Sequence, residues 1–400
     1  MNVLVLNCGS STLKFQLIET QPAAGSMAAE RKLAGGLVDR IGSNAAYRFA
    51  AGDRGAAEST APIHDHDQAV RAVMEWLDSV AELRRPDAVG HRVVHGGDRF
   101  IEAALIDDGV IAALEALSEL APLHNPGALS GIHAARKTLG GSVPMIAVFD
   151  TSFHHAIPEA AAAYAIPHEL AQKHKIRRYG FHGLAHQYDS ARYAELVCKP
   201  AAEVKVVTLH LGNGCSASAI AGGCSVDTSM GFTPLEGLVM GTRSGDLDPA
   251  LVGYLARKEE IDVEEVERWL NQRSGLLGLS GLSGDMRELI AAYDLNPRAR
   301  LAVDTFCHRA RKYLGAYLAV LGGAEAVLFS GGIGENAPLV RDKICRNMEW
   351  CGLRLDPALN ARVLGRDGSI SAADSPIGIF VIHTDEEAII ARETARVIGT

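Results

Sequence analysis

The 400-residue sequence lacks the features of a membrane-embedded or disulfide-stabilised protein. Its longest apolar runs are short and interrupted by glycine or charge, so no transmembrane helix is expected. The first residues contain no basic segment and no cleavage-like site, and they predict a strand and not a signal peptide. The seven cysteines are odd in number and include no Cys-x-x-Cys pair, which argues against disulfides and a structural zinc site. We therefore expect a cytoplasmic protein with reduced thiols.

The sequence also lacks an excess of basic residues. Its formal net charge is −9, which argues against a nucleic-acid partner and against binding to an anionic membrane surface. Hydrophobic content of 48% and charged content of 22% are typical of a soluble globular protein. A chain of this length is too long for one ordinary core, so two domains are expected.

Strand-like and helix-like segments alternate along the chain, which predicts an α/β fold. Residues 25–61 are rich in alanine, glycine and short polar residues, and they predict edge strands with surface loops. The predicted strands are 3–6, 13–18, 89–94, 145–149, 204–211, 217–220, 326–329 and 378–382. The clearest predicted helices are 67–83, 184–198, 298–321 and 386–398.

Two segments share a strand–turn–strand pattern, at 5–15 and at 210–220. Each has a turn of glycine, asparagine and hydroxyl residues, in which backbone N–H groups could point at a phosphate. The repetition indicates either two duplicated domains or a coincidence between two glycine-containing hairpins. Lys14 on the first hairpin could add a point charge to a phosphate site.

A third glycine-rich segment, at 329–336, follows an apolar strand and precedes a helical stretch, where α/β proteins bind nucleotides. We interpret it as a further phosphate turn. The chain contains no Gly-Lys-Ser/Thr of a Walker A motif, and the protein-kinase motifs are also missing. A phosphotransferase with this sequence would therefore hold phosphates with hairpin turns.

The segment 227–250 contains four glycines, two prolines and Arg243, and it cannot form a regular helix or a central strand. It predicts a long, shaped loop, and long ordered loops in compact domains are usually functional. An arginine held among glycines suits recognition of a phosphate or a carboxylate.

Two charged residues follow apolar strands. Arg92 precedes the glycine pair at 96–97 and is either part of a strand-end salt bridge or a fork for a carboxylate or phosphate. Asp150 is either a cleft residue or the cap of the following turn. His124 lies between two prolines at a predicted helix start, where it is either structural or catalytic.

His182 and His186 are four residues apart and could share a helix face. The spacing is that of a His-Glu-x-x-His zinc motif, but Gly183 replaces the glutamate. A zinc hydrolase would therefore lack its general base, which disfavours that function.

The segment 383–387 follows a strand and begins the last predicted helix. Thr384 is a candidate N-cap for this helix. The acids at 385–387 would complement the helix dipole.

Seven motifs in the same order make the chain similar to the acetate kinases, the acyl-phosphate-forming branch of the acetate and sugar kinase superfamily. The likeness covers nearly the whole chain. The family has Pro-Thr-Asn-Glu-Glu where this chain has His383 and Asp385, and the added acid could change the metal affinity. The motifs are Asn-x-Gly-Ser-Ser at 7–11, Arg-Val-Val-His-Gly-Gly at 92–97, Gly-Phe-His-Gly at 180–183, His-Leu-Gly-x-Gly at 210–214, the loop at 227–250, Gly-Gly-Ile-Gly-Glu at 331–335 and the acidic pair at 386–387.

The resemblance implies an acetate kinase, which converts ATP and acetate to ADP and acetyl phosphate with Mg²⁺, or with Mn²⁺ as an alternative. It implies catalytic roles for Asp150, His182 and Arg243. The family assigns the aspartate a proton-transfer role. Because an ionised carboxylate has no proton to remove, we expect Asp150 to orient an arginine or the metal shell instead. Asn7 and Glu386 are the implied metal residues.

The resemblance also implies two sets of binding residues. The acyl substrate would contact Arg92 and His124, together with an apolar pocket. The residues of that pocket are Val94, Leu123, Phe181 and Pro234. The residues implied for the nucleotide are Lys14, His210, Leu211, Gly212, Asn213, Gly214, Asp285, Met286, Arg287, Gly332, Ile333, Gly334, Glu335 and Asn336.

The implied fold has two actin-like, ribonuclease-H-like domains flanking an active-site cleft. One would span 1–150 plus 385–400, with a returning C-terminal helix, and the nucleotide-binding domain would span 151–384. A homodimer is also implied. A propionate or other short-chain acyl kinase of the same family stays open, as do a sugar or polyol kinase and a non-catalytic actin-like nucleotide-binding protein.

Overall fold

Alternating strands and helices form the protein in this computed structural model, which describes residues 1–20, 30–52, 57–80, 83, 85–119, 121–122 and 124–399. Leu123, predicted for the acyl pocket, lies outside the described residues. Among the described residues, no helix is both long and apolar enough to cross a membrane. The strands are β1 Asn2–Cys8, β2 Thr12–Glu19, β3 Arg31–Asp39, β4 Ser43–Ala51, β5 Ala57–Ile63, β6 Ala88–Val93, β7 Ala104–Leu105, β8 Met145–Phe149, β9 Lys205–Leu211, β10 Cys215–Ala221, β11 Cys224–Thr228, β12 Ala326–Ser330, β13 Gly368–Ser369 and β14 Gly378–Val381.

Several helices begin or end at residue types that favour helix termini. Asp65 caps the first helix by accepting a hydrogen bond from the backbone N–H of Gln68. The long helix α11 starts with Pro297 at its first turn and ends at Gly322, whose φ of 65° is left-handed. The helices are α1 His66–Ser79, α2 Asp108–Leu117, α3 Asn125–Leu139, α4 Glu159–Ala162, α5 His168–Lys173, α6 Gly183–Leu196, α7 Ala250–Glu259, α8 Val263–Gln272, α9 Gly275–Ser280, α10 Met286–Ala291, α11 Pro297–Leu321, α12 Gly331–Asn336, α13 Pro338–Cys345, α14 Pro357–Arg362 and α15 Glu386–Gly399.

The chain forms two compact units, one of Met1–His155 with Asp385–Thr400 and one of Ala156–Thr384. The predicted division after residue 150 falls in the short turn that follows β8. The helix α15 belongs to the first unit, although it is far from the rest of that unit in sequence.

In the first unit, the described strands form one sheet in the order β5-β4-β3-β2-β1-β6-β8-β7. Alternate residues of β1, such as Leu4 and Leu6, share one apolar cluster with residues of α1 and α3. The helix α15 packs on β6, where a Cβ at Gly90 would meet Ile390 and Thr394. Helices therefore cover the central strands, which explains the continuous apolar run Val-Leu-Val-Leu at 3–6 in β1.

In the second unit, the described strands form a sheet in the order β11-β10-β9-β12-β14-β13. The first strand, β9, pairs antiparallel with β10 and parallel with β12. The long helix α11 packs on β9 and β10, and α6 packs on β9 and β12. Helices of the second unit thus pack on its central strands.

The two sheets repeat one topology. In the first unit, β1 pairs antiparallel with β2 and parallel with β6, β2 pairs antiparallel with β3, and β6 pairs parallel with β8. In the second unit, β9, β10, β11, β12 and β14 make the same four pairings. The prediction of two duplicated domains is confirmed at the level of topology, because two unrelated hairpins would not share the parallel strands that follow.

The predicted strands all exist. The strands predicted within 25–61 are β3, β4 and β5, and of these β5 lies at the edge of the sheet while β3 and β4 are paired on both sides. Residues 25–29 and 53–56 lie outside the described residues. Two predictions are corrected. Residues 331–336 form the short helix α12 and not a turn, so the phosphate segment is a strand followed directly by a helix. Thr384 does not cap α15; the Asp385 carboxylate accepts from the backbone N–H of Ala388, because the Thr384 hydroxyl donates to Asp189 instead.

Candidate active site

Three predicted site residues lie at one edge of the first unit's sheet. The parallel strands β1, β6 and β8 end there, with Leu6 opposite His91 and Val93 opposite Phe149. Asn7 lies near the end of β1, Arg92 near the end of β6, and Asp150 directly after β8. The carboxyl ends of parallel strands are where open α/β sheets bind ligands.

Two carboxylates hold the Arg92 side chain at the carboxyl end of β6. Its Nε donates to Asp150 Oδ1 at 3.0 Å and its Nη2 donates to Asp150 Oδ2 at 2.7 Å, which is a bidentate pair. Its Nη1 lies 3.2 Å from Glu386 Oε2, in the first turn of α15. Burial alone would lower the pKa of Arg92, but the charges of Asp150 and Glu386 raise it above its ordinary value. Asp150 thus fixes the plane and direction of the guanidinium.

The segment after β6 is fixed by side chains from two other elements. Asn125 accepts from the backbone N–H of His95 and donates to its carbonyl, both at 3.1 Å. The Thr151 hydroxyl accepts from the N–H of Gly96 at 3.1 Å. These hydrogen bonds fix the backbone directly after Val94, which is half-buried and lies two residues after Arg92. His124 occupies the N-cap position of α3.

The two glutamates that begin α15 have different surroundings. The Glu387 side chain is 4% exposed and lies 2.7 Å from Lys14 Nζ, while Glu386 is 16% exposed and contacts Arg92. Burial raises the pKa of Glu387, and the charge of Lys14 opposes that shift. Lys14, which the resemblance assigned to the nucleotide, is thus engaged with Glu387 within the first unit.

The predicted long loop is present in the second unit, since residues 229–249 contain no helix or strand. Gly237 and Gly245 have φ values of 106° and 67°, which favour glycine. Glu236 accepts from Arg178 at 2.6 Å and also from the Tyr164 hydroxyl. Gly237 and Asp246 exchange two hydrogen bonds across the loop. The loop is therefore ordered by hydrogen bonds of its own backbone and by a partly buried ion pair.

Arg243 lies on this loop of the second unit. Its Nη1 donates to the carbonyl of Pro234 at 3.1 Å. Burial lowers the pKa of Arg243, yet a guanidinium stays protonated in proteins. A Cβ built on Gly214 would lie 3.7 Å from Arg243 Nη1 and 3.2 Å from His182 Nε2. The guanidinium and the imidazole therefore converge on the glycine of the β9–β10 turn.

His182 is placed by unusual backbone geometry. Its φ of 55° and ψ of 27° are left-handed, and it forms the N-cap of α6. Its Nδ1 lies 2.9 Å from the Ser216 hydroxyl of β10. The residues just before it, Tyr179 and Gly180, donate backbone hydrogen bonds to the carbonyl of Gly231 on the Arg243 loop. Left-handed backbone at a non-glycine residue is uncommon and is often found at functional sites.

A cavity of about 570 Å³ in the second unit gathers three of the predicted nucleotide segments. It combines apolar side chains with glycine backbone and one exposed ion pair, between Asp285 and Arg287. Such a lining suits a ligand with a flat apolar part and an anionic part. Its lining residues are Gly212, Asn213, Gly284, Asp285, Met286, Arg287, Ile290, Gly332, Ile333, Asn336 and Ala337.

Comparison with known proteins shows the family to which the chain belongs. The model of the acetokinase family matches residues 2–392 of the chain. The chain belongs to the acetokinase family. It is 48% identical to the acetate kinase of Chloroherpeton thalassium, with 100% of this chain and 99% of the relative covered. It is 50% identical to the acetate kinase of Solibacter usitatus, with 100% and 98% covered.

Comparison with solved structures shows the fold. The crystal structure of Porphyromonas gingivalis acetate kinase matches with a TM-score of 0.90 and 38% identity, covering 99% of both chains. A propionate kinase from Francisella tularensis also matches with a TM-score of 0.90 and 38% identity, covering 98% of both. The fold is therefore the two-domain actin-like α/β fold, and the chain is a kinase.

Some of the nucleotide residues implied by the resemblance do not line the 570 Å³ cavity. Leu211 is a core residue, and Gly214 lies beside His182 and Arg243. His210 Nδ1 lies 3.1 Å from the Ser330 hydroxyl, and Glu335 accepts from His383 and Thr384. Gly334 and Lys14 are also outside the lining.

Several residues that shape these groups were not singled out from the sequence. Asn125 and Thr151 hold the Val94 segment, and Glu236 holds the Arg243 loop. Each lies inside or next to a motif that the sequence did reveal. Proximity to those motifs was the signal, but the partners of a hydroxyl or amide are visible only in three dimensions.

Proposed function

We propose that the protein transfers the γ-phosphoryl group of ATP reversibly to acetate, giving ADP and acetyl phosphate, with Mg²⁺ as the metal. The observation that carries the proposal is the convergence of His182 Nε2 and Arg243 Nη1 on Gly214 in the second unit. Two cationic or hydrogen-bond-donating groups at a glycine turn suit a transferring phosphoryl group, whose charge spreads over its equatorial oxygens.

The acceptor is an anion, and this sets the task of the side chains. A carboxylate is already ionised at pH 7, so its oxygen can attack the phosphorus without losing a proton. The reaction must bring two anions together. Arg92 is proposed to bind the acetate carboxylate, and Arg243 and His182 to stabilise the charge of the transferring group.

Asp150 supports this choice over a sugar or polyol kinase. An alcohol acceptor needs a base to take its proton, and an aspartate would supply it. Both carboxylate oxygens of Asp150 are engaged by Arg92. We therefore propose that Asp150 orients Arg92 and takes no proton.

Two residues of the first unit are proposed to hold the magnesium ion. Asn7 and Glu386 offer oxygen donors, the kind that Mg²⁺ prefers, and Mg²⁺ usually keeps several waters and binds substrate phosphates. No three His, Cys, Asp or Glu side chains in the described part of the chain form a metal-holding cluster. We propose that Asn7 and Glu386 hold Mg²⁺ in part through water. When bound, the ion would neutralise charge on the phosphates.

We further propose that ATP binds the cavity lined by Gly212, Asp285, Met286 and Ile333, among others. Gly212 and Asn213 line this cavity and directly precede Gly214 in the chain. We therefore propose that the phosphates of ATP point towards the Gly214 turn. A homodimer and a cytoplasmic location also remain proposals. Sedimentation of the purified protein tests the first, and the buried thiols Cys8 and Cys215 suit a reducing compartment for the second.

The acyl specificity is proposed to depend on Val94, with Phe181 and Pro234 as further apolar contacts. The solved structures do not distinguish acetate from propionate as the substrate, because an acetate kinase and a propionate kinase match this chain with the same TM-score and identity. A valine beside Arg92 would limit the space for a second methylene, which is worth roughly 1–3 kcal/mol in a tight pocket. We therefore propose that acetate is preferred over propionate by about 10-fold or more in kcat/KM.

A coupled assay with Mg-ATP and acetate, propionate, butyrate or glycerol tests the proposed function. Acetate should be the best acceptor, and glycerol should not react. Val94→Ala should narrow or invert the preference for acetate over propionate and leave the KM for ATP nearly unchanged. A preference of the wild type for propionate would instead establish the short-chain acyl kinase alternative. If Val94→Ala changed the KM for ATP but not the preference between acetate and propionate, the assignment of Val94 to the acyl pocket would be wrong.

A further inference from the structure

A buried chain of hydroxyl and imidazole groups lies behind His182. The Ser216 hydroxyl is 2.9 Å from His182 Nδ1 and 2.8 Å from His186 Nε2. His186 Nδ1 is in turn 2.7 Å from the Thr208 hydroxyl, which donates to the carbonyl of Ser218 at 3.4 Å. Ser216, His186 and Thr208 are fully buried. The family resemblance implies no role for His186, and of the two histidines only His182 has a role in the proposed phosphoryl transfer.

The direction of the hydrogen bonds follows from the far end of this chain. A carbonyl can only accept, so the single hydroxyl proton of Thr208 points to Ser218. Thr208 must then accept from His186, which places a proton on His186 Nδ1. Burial favours an uncharged His186 ring, whose Nε2 then accepts the hydroxyl proton of Ser216. Ser216 is left as an acceptor for His182 Nδ1–H.

We propose that Ser216, oriented by His186 and Thr208, is a positioning residue that fixes a proton on Nδ1 of His182 and directs its Nε2 edge to Gly214. The inference rests on the proposed role of His182 in phosphoryl transfer. With Nδ1 protonated, the neutral ring presents a lone pair at Nε2. His182 therefore donates to a phosphoryl oxygen only as an imidazolium, with a full positive charge beside Arg243.

A double-mutant cycle separates positioning from a general structural effect. Ser216→Ala is made in the wild type and in a His182→Ala background, and kcat and KM are measured for the forward reaction. In the wild type, Ser216→Ala should lower kcat by about 10-fold, as expected for a lost orienting hydrogen bond to a charged group, with KM for both substrates changed less than about 2-fold. In the His182→Ala background it should change kcat less than about 2-fold.

Ser218→Ala is the matched control. Ser218 is also fully buried on β10, but its hydroxyl bonds to Ser225 and to the carbonyl of Asp227, away from His182. This variant should keep kcat within about 2-fold of wild type. Equal losses from Ser216→Ala in both backgrounds, or an unchanged kcat in the wild type, would overturn the proposal.

A spectroscopic measurement covers the case in which Ser216→Ala does not fold. The enzyme is labelled with ¹⁵N-histidine, and the His182 signals are identified by their loss in His182→Ala. In the neutral ring, Nδ1 should carry the proton and Nε2 should not. The opposite tautomer would show that Ser216 donates to His182, and would overturn the proposal. Because no substrate is present, this readout is independent of whether acetate is the acceptor.

Discussion

At the scale of single residues, the two proposed catalytic arginines are held in different ways. Arg92 is fixed by a bidentate pair with Asp150, whereas Arg243 is fixed through the carbonyl of Pro234 on a glycine-shaped loop. The first arrangement orients a charge that is nearly neutralised until a substrate arrives. The second leaves a partly buried cation that donates to a carbonyl and lies near the thioether of Met240, neither of which carries a formal charge, and this suits an electrostatic role towards an anion.

Removing either arginine should therefore affect turnover strongly. Arg92→Ala and Arg243→Ala should each lower kcat/KM by at least about 100-fold, or about 2.7 kcal/mol, because each removes a charged donor from the transition state. Arg346→Ala is a control, since that arginine is exposed and pairs with Asp342 on the surface. Steady-state kinetics decide the matter, and near-wild-type turnover of either folded variant contradicts the assignment.

The role of Asp150 is tested by removing its charge while keeping its shape. Asp150→Asn weakens the fork on Arg92, so we expect a lower kcat/KM with an unchanged shape of the pH–rate profile. If Asp150 were a titrating catalytic group, an acidic limb present in the wild type would disappear in the variant. Profiles of the two proteins over the same pH range distinguish these outcomes.

At the scale of elements, helix α15 begins with carboxylates that have separate functions. Asp385 caps the helix, Glu386 contacts Arg92, and Glu387 is buried against Lys14. The departure of Asp385 from the family motif keeps the helix cap, since aspartate and asparagine cap equally well. The proposed metal role is left to Glu386.

This division predicts different effects of two neighbouring substitutions. Glu386→Ala should raise the Mg²⁺ concentration for half-maximal activity by about 10-fold or more, as loss of a metal-site residue does. Glu387→Ala should change that value less and should instead lower the free energy of unfolding by about 1–2 kcal/mol, because a buried partner of half-exposed Lys14 is lost. Magnesium titration and denaturant unfolding of both variants provide the comparison, and the reverse order would move the site by one residue.

At the scale of the whole molecule, the elements that the sequence predicted are those with strong local signals. β1, β8 and β12 contain continuous apolar runs because helices cover their sheets. The two-residue strands β7 and β13 were not predicted, since so few residues have no periodicity. The helix α12 was interpreted as a turn because its glycines are poor helix formers, and packing against β9 and β12 overrides that preference.

For the candidate site, the sequence predicted some residues and missed others. Arg92, Asp150, His182 and Arg243 were found because they lie at strand ends or among glycines, which are local properties. The hydroxyl of Ser216 could not be assigned to His182, because pairing across strands and helices depends on register and tertiary packing. Sequence therefore predicted the charged groups of the site better than the neutral groups that orient them.

The central claim is that a carboxylate oxygen attacks the γ-phosphorus of ATP. Its most direct test is incubation of the protein with Mg-ATP and acetate labelled with ¹⁸O in both carboxylate oxygens, followed by ³¹P NMR of the product. The account predicts acetyl phosphate whose bridging oxygen is ¹⁸O, seen as an isotope shift at phosphorus. Acetyl phosphate without ¹⁸O at phosphorus, or no acetyl phosphate while glycerol is phosphorylated, would contradict it.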